Sequence, residues 1–513
     1  MNFNIKTVKI KCILSIIIMV LLLLIGGNKM GLHIDEIYTF GLANHQYNGS
    51  IMPSIEQNKI YSGTQLWREY TTVSAEHRFD YKNVFMNQAA DVHPPLYYML
   101  IHTVCSFFPE TLGMWMGLIV NVIFALIVYW QMVWLFYHFT ENDRIAVAFS
   151  TLFILSMGFV NNVVFFRMYV LLTVWTNALI ILFCKEKVGE KSNLKYCLSL
   201  GGIILGGLLT QYYFAIFCFF ACIVYAGFVI IEKNWNKIVF STVSIAAGIS
   251  IAILIFPAML EQIFHGSRGT EAFRNVTENS FWDALWSYLD ILNLQIFGRL
   301  GVILVMIIFV LYIVKSEEIR LKRECIQKYI LVGISTMGYL AVVVKIAPYR
   351  TDRYVMNIMG LLYLVIFSLL IKLARLYSRY AIRTITIIAL LVLMGSYKDG
   401  IPYLIQEEKK NIQMISDKQN TTCLYVYTSD SDIWRIMPNY LEMTPLNQIV
   451  FVNNERLNEL DWNYFTQYNQ LLIYIMSGIN ENSVFDKLKE VNPELDKNTR
   501  LFSQGYSTVY FSE

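Results

Sequence analysis

Two short polar motifs, each beside an apolar stretch, carry the residue types that acid–base chemistry needs. His33-Ile34-Asp35-Glu36 follows the first apolar stretch, and Asp91-Val92-His93-Pro94-Pro95 precedes the next. Ionisable groups beside a membrane are costly to place and usually functional. A partly desolvated carboxylate such as Asp35 or Glu36 can take a proton from an attacking hydroxyl. The alternative is an acidic cap where a membrane span meets water.

The second motif has the more specific pattern. Two prolines follow His93, and proline is tolerated in the first turn of a helix. The spacing therefore predicts that Asp91 and His93 lie at a helix N-terminus, where anions bind well. The alternative is a turn that happens to contain a histidine.

Basic and aromatic residues at the boundaries of later apolar stretches indicate an anion site. An arginine at such a boundary is costly unless it meets an acidic partner or a phosphate. Snorkelling to lipid head groups is the alternative. Cations that neutralise a leaving phosphate, with a carboxylate that deprotonates the acceptor, suit transfer from a lipid-phosphate donor. The candidate binding residues are Arg167, Tyr169, Gln211, Tyr212, Lys345, Tyr349, Arg350, Arg353 and Tyr354.

The composition is that of a polytopic membrane protein. Of 513 residues, 56% are hydrophobic and only 15% are charged, and the mean hydropathy is +0.46. Soluble domains typically have about 25% charged residues. The net charge of +3 is small, and the basic residues lie in short loops, which argues against nucleic acid as a partner. The eight cysteines form no disulfide framework or metal motif.

Apolar stretches of about 20 residues can cross the hydrocarbon core of a bilayer. The predicted spans are roughly 12–31, 112–138, 144–160, 168–184, 196–210, 212–231, 238–260, 300–314, 329–346, 354–371 and 382–397.

Lysine and arginine in short loops predict the orientation of these spans. The basic segments 185–191, 315–328 and 372–383 are expected in the cytoplasm. The two motifs and the candidate binding residues then fall on the outer face. The stretch 94–108 would break this alternation if it crossed, so a re-entrant or interfacial helix is predicted there. Eleven spans result, with the N-terminus inside.

The composition changes near residue 398. We predict a transmembrane domain over 1–398, with large extracytoplasmic loops at 28–93 and 262–298. Residues 399–513 are predicted to form a small extracytoplasmic α/β domain, because strand-like and helical patterns alternate there. Its expected strands are 423–427, 448–452, 471–475 and 507–511, with a helix near 482–491.

The order and spacing of three motifs resemble the GT-C membrane glycosyltransferases, nearest to the protein O-mannosyltransferase and aminoarabinose-transferase branch. The motifs are His33-Ile34-Asp35-Glu36, Asp91-Val92-His93-Pro94-Pro95 and Arg167-Met168-Tyr169. The resemblance covers about residues 10–220 and, more loosely, the start of the span at Arg353-Tyr354. It implies an inverting transfer of a sugar from a polyprenyl-phosphate donor in the outer leaflet, with Asp35 as base or acceptor-positioning group. Asp91 and His93 would support the site or contact donor and acceptor, and Arg167 and Tyr169 would line the donor cavity.

The chain departs from that pattern at two places. Phe165-Phe166 stand where relatives often carry Glu-Ala, and Gln211 stands where relatives often have a histidine. Since glutamine does not titrate, no proton role is expected at that position. The acceptor is not indicated and could be a cell-envelope glycan, a lipid or a protein.

Two other classes of function compete with the transferase. One is a transporter or flippase for lipid-linked sugars, although such proteins often show repeated halves and no repeat is visible here. The other is a membrane-anchored sensor or assembly protein whose working part is the C-terminal domain. A divalent metal is a possible cofactor, because His33, Asp35, Glu36, Asp91 and His93 include suitable ligand types, but their spacing is not diagnostic.

Overall fold

The computed structural model describes residues 5–111, 113–314, 322–377 and 380–513. Parts of two predicted cytoplasmic segments, 315–321 and 378–379, lie outside these residues. The α-helices are α1 (Ile5–Gly26), α2 (Ile34–Asn44), α3 (Gly63–Thr71), α4 (Tyr81–Ala90), α5 (Leu96–Phe107), α6 (Trp115–Thr140), α7 (Asp143–Ile154), α8 (Met157–Val164), α9 (Tyr169–Lys185), α10 (Leu194–Thr210), α11 (Tyr213–Ile231), α12 (Trp235–Ile255), α13 (Ala258–Phe264), α14 (Ser267–Glu278), α15 (Phe281–Phe297), α16 (Gly301–Val314), α17 (Arg323–Ile346), α18 (Met359–Arg375), α19 (Ala381–Ser396), α20 (Glu408–Ser416), α21 (Tyr440–Met443) and α22 (Glu481–Val491). The strands are β1 (Ile60–Tyr61), β2 (Thr422–Tyr427), β3 (Ile449–Asn453), β4 (Leu471–Met476), β5 (Asn498–Gln504) and β6 (Ser507–Ser512).

The chain divides into two compact units. The helical unit comprises Met1–Gly27, Asp91–Tyr97 and Gly117–Pro402. The sheet unit comprises Asn28–Ala90, Tyr98–Met116 and Tyr403–Glu513. The sheet unit therefore includes the predicted first loop as well as the predicted C-terminal domain.

Long apolar helices dominate the helical unit. Among the described residues, six helices are long and apolar enough to cross a membrane, or eight if each of two bent helix pairs is one span. The bends are 56° between α7 and α8 and 84° between α15 and α16. The helical class predicted from composition is confirmed, and the number of eleven crossings stays a prediction.

The helices differ in places from the predicted spans. The stretch 144–160 is divided near Ser156, whose backbone is extended and whose hydroxyl donates to the Phe153 carbonyl at 2.6 Å. At the second bend, Gly298 has φ 55°, and an added Cβ would collide with the Val392 carbonyl. A residue with a side chain is disfavoured there on both grounds. α5 has 12 residues, about 18 Å, which is short of the hydrocarbon core.

A six-stranded sheet of order β1-β3-β2-β4-β6-β5 forms the core of the sheet unit. β2 pairs in parallel with β3 and β4, whereas β6 is antiparallel to β4 and β5. Each residue of β2, β3 and β4 is buried, as expected for parallel strands covered on both faces. The predicted C-terminal strands and the helix near 482–491 are confirmed. β1, from the first loop, pairs antiparallel with β3 and was not predicted.

Candidate functional site

The Asp91–His93 turn lies in the helical unit and precedes α5. Asp91 Oδ2 lies 2.9 Å from His93 Nδ1, and the two side chains are 15% and 22% exposed. Helix α5 begins at Leu96, directly after the two prolines. The pair is therefore partly accessible and lies at a helix N-terminus, as the spacing predicts.

Arg167 joins this pair across 74 residues of sequence. Its guanidinium Nη2 lies 3.2 Å from His93 Nε2, and the residue is 3% exposed. Because a guanidinium only donates, Nε2 must accept, which leaves the imidazole proton on Nδ1. His93 then donates to Asp91. The two motifs form one directional chain of hydrogen bonds, from Arg167 through a neutral His93 to the Asp91 carboxylate.

Asn121, in the second turn of α6, anchors the backbone just before Arg167. Its side-chain amide donates to the carbonyls of Val163 at 2.9 Å and Phe165 at 2.8 Å. Its oxygen accepts from the Tyr97 hydroxyl at 2.8 Å. Tyr97 belongs to the same turn-and-helix segment as His93. The sequence interpretation missed Asn121, although a polar residue inside an apolar helix is a usable signal.

Gln262, in α13, connects Tyr212 to the Asp91 turn. Its amide donates to the Asp91 carbonyl at 2.8 Å, and its oxygen accepts from the Tyr212 hydroxyl. Gln211 accepts from the Tyr212 backbone N–H at 2.7 Å. Tyr212 thus reaches the turn through a residue that the sequence did not single out, whereas Gln211 stabilises the local backbone.

The second predicted cation group surrounds a short turn before α18. The Arg353 guanidinium lies 5.0 Å from the Tyr354 ring centre and 5.5 Å from that of Tyr349, within the range of cation–π attraction. Arg353 also donates to the Tyr354 hydroxyl at 3.2 Å. Arg350 is exposed. Lys345 donates instead to the Asn279 carbonyl at 2.7 Å, so it joins the end of α17 to the α14–α15 turn.

Tyr288, in α15, contacts the second cation group. Its hydroxyl donates to the Tyr349 carbonyl at 3.0 Å. It lies within electrostatic range of Tyr169, Tyr354 and Arg353. Tyr288 is therefore hydrogen-bonded to the segment that carries the second cation group, with Tyr169 within its electrostatic range.

Asp352 fixes the turn that carries Arg353. Its buried Oδ2 accepts from the amides of Asn161 at 2.9 Å and Gln295 at 2.8 Å. These donors come from α8 and α15. The sequence interpretation named the basic neighbours of Asp352 but not Asp352 itself.

In the sheet unit, the two carboxylates of the first motif have different surroundings. Glu36 is fully buried and forms an ion pair with Lys29 at 3.0 Å. It also accepts from the His33 backbone N–H at 2.7 Å, and His33 Nδ1 accepts from the Asp35 backbone N–H at 3.1 Å. This reciprocal pattern is a capping box for α2. The Asp35 side chain, by contrast, is 21% exposed.

A third carboxylate lies beside the buried Lys29–Glu36 pair. Burial raises the pKa of Glu408 to about 8, with Glu407 and Glu36 adding to the shift and Lys29 opposing it. Burial also lowers the pKa of Lys29, against the attraction of Glu36. Lys29 donates to the Tyr403 carbonyl. The Lys29 ammonium therefore forms an ion pair with Glu36 and also lies within electrostatic range of Glu408. The protonated form of Glu408 is favoured at neutral pH.

No group of three or more histidine, cysteine, aspartate or glutamate side chains that could hold a metal ion occurs among the described residues. Asp35 and Glu36 belong to the sheet unit, and the other candidate residues belong to the helical unit. Comparison with protein-family models and with curated proteins finds no match to this chain.

Proposed function

We propose that the chain is an inverting membrane glycosyltransferase that moves a sugar from a polyprenyl-phosphate donor to an acceptor hydroxyl. The observation that carries the proposal is the hydrogen-bonded chain Arg167–His93–Asp91, which joins two motifs of the GT-C resemblance. The proposal includes eleven crossings, α5 as a re-entrant helix, and an extracytoplasmic site.

Arg167 is the proposed ligand of the donor phosphate. A guanidinium matches a phosphate with two parallel hydrogen bonds and keeps its charge when buried. The neutral His93 fixes the plane of this guanidinium without cancelling its charge, and Asp91 fixes the tautomer of His93. Arg353 is the proposed second cation, and Tyr349 and Tyr354 position its side chain.

Asp35 is the proposed base. Glu36 already accepts from Lys29 and from the His33 backbone, so its role is to hold the start of α2. Asp35 is the more accessible carboxylate of the motif. A base must be reached by the proton that it removes.

The proposed step forms two bonds and breaks two. The acceptor oxygen bonds to the anomeric carbon while its proton passes to the Asp35 carboxylate. The bond from that carbon to the phosphate oxygen breaks, and its electron pair leaves with the lipid phosphate. Arg167 and Arg353 offset the charge of this leaving group. Attack opposite the leaving group inverts the configuration. The proposed base belongs to the sheet unit and the two proposed phosphate ligands belong to the helical unit. Each role is tested by its own variants.

The test follows release of free polyprenyl phosphate from a panel of polyprenyl-phosphate hexoses and pentoses, with membrane extract as the source of acceptor. Asp35→Asn keeps the shape of the side chain but removes the base. General bases contribute about 10²- to 10⁴-fold, so we expect a loss of that size.

The matched control is Glu69→Gln, which makes the same type of change at an exposed residue of α3. It is expected to release polyprenyl phosphate like the unaltered protein. If Asp35→Asn releases as much polyprenyl phosphate as the unaltered protein, Asp35 is not the base. If the unaltered protein releases none from any donor, the proposed function is wrong.

A further inference from the structure

Two adjoining pockets of the helical unit, one polar and one apolar, lie far from Arg167 along α9 and are treated as the two parts of one cavity. That helix runs from Tyr169 to Lys185, about 24 Å at 1.5 Å per residue. Lys185 lines the polar part. The cavity therefore lies near the opposite end of the apolar helices, close to the predicted cytoplasmic segment 185–191.

The apolar part is a groove among α10, α11 and α12. It has a volume of about 400 Å³ and is lined largely by aliphatic and aromatic side chains, including Leu208, Phe214 and Ile245. A volume of this size is typical of a ligand pocket. In a membrane-embedded unit, such a groove suits an acyl chain.

The polar part has a volume of about 430 Å³ and adjoins the groove. Phe183 and Tyr225 line both parts, and their rings stack with centres 4.2 Å apart. This aromatic pair marks the boundary between a surface that suits hydrocarbon and a surface that suits a head group.

Most acidic side chains of the polar part already have basic partners. Glu232 pairs with Arg323 at 2.8 Å, and Glu186 pairs with the buried Lys237 at 3.2 Å. Glu324 lies within electrostatic range of Lys187, which also pairs with a glutamate outside the cavity at 2.8 Å.

Two lysines of the polar part are different. Within the described part of the chain, neither Lys185 nor Lys328 forms an ion pair with a carboxylate. Lys185 lies 5.1 Å from the ring centre of Trp134. Lys328 is half-buried and lies within electrostatic range of Cys184, the sequence neighbour of Lys185. Both lysines line the polar part, which adjoins the groove at Phe183 and Tyr225.

We propose that this cavity binds an anionic membrane phospholipid, independently of the reaction at the other end of the unit. The phosphate lies at Lys185 and Lys328, and one acyl chain follows the groove past the Phe183–Tyr225 pair. The basic residues supply charge complementarity, and the groove supplies the apolar contact that a free phosphate would lack.

The test titrates the purified full-length chain with phosphatidylglycerol or phosphatidylcholine of the same acyl composition and counts bound lipid by native mass spectrometry. We expect tighter binding of phosphatidylglycerol. Each basic residue at a membrane surface contributes about fivefold to anionic-lipid binding, so Lys185→Gln with Lys328→Gln should weaken phosphatidylglycerol binding about 25-fold. Phosphatidylcholine binding should change little.

The matched control is Lys191→Gln with Lys195→Gln, which removes the same charge from two exposed lysines that do not line the cavity. Ala226→Phe fills the groove and should weaken both lipids. Acyl-free glycerol phosphate should not compete at equal concentration. Salt should weaken phosphatidylglycerol binding by the unaltered chain, a readout that needs no variant.

Equal affinity for the two lipids would overturn the proposal. An equal effect of the two double variants would overturn it as well, because a general surface charge would then account for binding. Full displacement by glycerol phosphate would show that the groove contributes nothing and would also contradict it.

Discussion

At the residue scale, neighbouring residues of the same type have different roles because their contacts differ. Asp35 and Glu36 are adjacent carboxylates, but only Glu36 is buried against Lys29 and bonded to the helix cap. Arg167 likewise differs from the other basic residues, because a neutral imidazole fixes its orientation. The sequence identified the residue types, whereas the contacts separate a proposed base from a residue that holds it in place.

Arg167→Lys is expected to lower transfer about 100-fold, mainly through a weaker donor complex. Lysine retains the charge but lacks the planar fork that binds both His93 and a phosphate. Steady-state kinetics with the donor varied provides the measurement. Arg144→Lys, on the exposed start of α7, is the control. Equal kinetics for the two variants would contradict the role of Arg167.

Glu408→Gln is expected to reduce the pH dependence of stability in the sheet unit. The folded protein holds the Glu408 proton up to about pH 8, whereas an ordinary glutamate releases it near pH 4.5. Stability from this proton is therefore complete below about pH 4.5 and is lost as the pH rises through 8. The variant should retain this stability at pH 8.

Thermal unfolding of the full chain between pH 5 and pH 9 measures this effect. The difference between protein and variant should exceed about 1.4 kcal/mol, the equivalent of one pKa unit. Glu459→Gln, at an exposed position of the same unit, is the control and should follow the unaltered protein. Parallel curves for the protein and Glu408→Gln would refute the assignment.

At the element scale, the sequence predicts what composition and period determine. Long apolar helices such as α6 and α11, and the buried strands β2, β3 and β4, follow from uninterrupted apolar runs. The two bends were not predicted, because Ser156 and Gly298 break helices through backbone geometry rather than hydropathy.

The same limit applies to the short or polar elements. β1 has only two residues, so its pairing with β3 depends on contacts distant in sequence. β5 is a polar edge strand, largely half-buried or exposed, and lacks an apolar pattern. The amides of Asn121 and Gln262 connect elements of the site. A polar residue inside an apolar helix, such as Asn121, is a local signal, but no local pattern identifies the groups to which it bonds.

Asn121→Ala is expected to lower both stability and transfer. The buried Val163 carbonyl would lose its Asn121 donor, at a cost of about 1–3 kcal/mol for an unsatisfied group. The Phe165 carbonyl would keep only the Arg167 backbone N–H, so the backbone before Arg167 would lose its anchor. Thermal unfolding and donor kinetics measure the two effects. Asn121→Asp keeps the acceptor for Tyr97 but not the donors, so it should behave like the alanine variant. Full activity in both would exclude an anchoring role.

At the scale of the whole molecule, the first loop and the C-terminal segment fold as one unit. Met30 donates to the Leu404 carbonyl at 2.9 Å, and Gly63 donates to the Leu446 carbonyl at 2.9 Å. β1 adds a third connection. Deleting the C-terminal segment would therefore also disturb the loop that carries Asp35, so point variants are the cleaner way to separate an enzyme from a sensor.

Truncation after Pro402 is expected to remove hydrogen-exchange protection from residues 60–70 in the first loop. Those amides lose β3 and the Leu446 acceptor. Hydrogen–deuterium exchange with mass spectrometry of the truncated and full chains provides the comparison. Peptides from α6 and α11, in the helical unit, are the internal reference. Unchanged protection of 60–70 would contradict a shared folding unit.

The most direct test of the proposed function follows both halves of the donor. A polyprenyl-phosphate sugar labelled separately in lipid and sugar is supplied to the reconstituted full-length protein with membrane extract as acceptor source. The account predicts one free polyprenyl phosphate for each sugar found on another molecule, and at least about 100-fold less of both with Asp35→Asn. A donor that crosses the bilayer intact, or equal cleavage by Asp35→Asn, would contradict it.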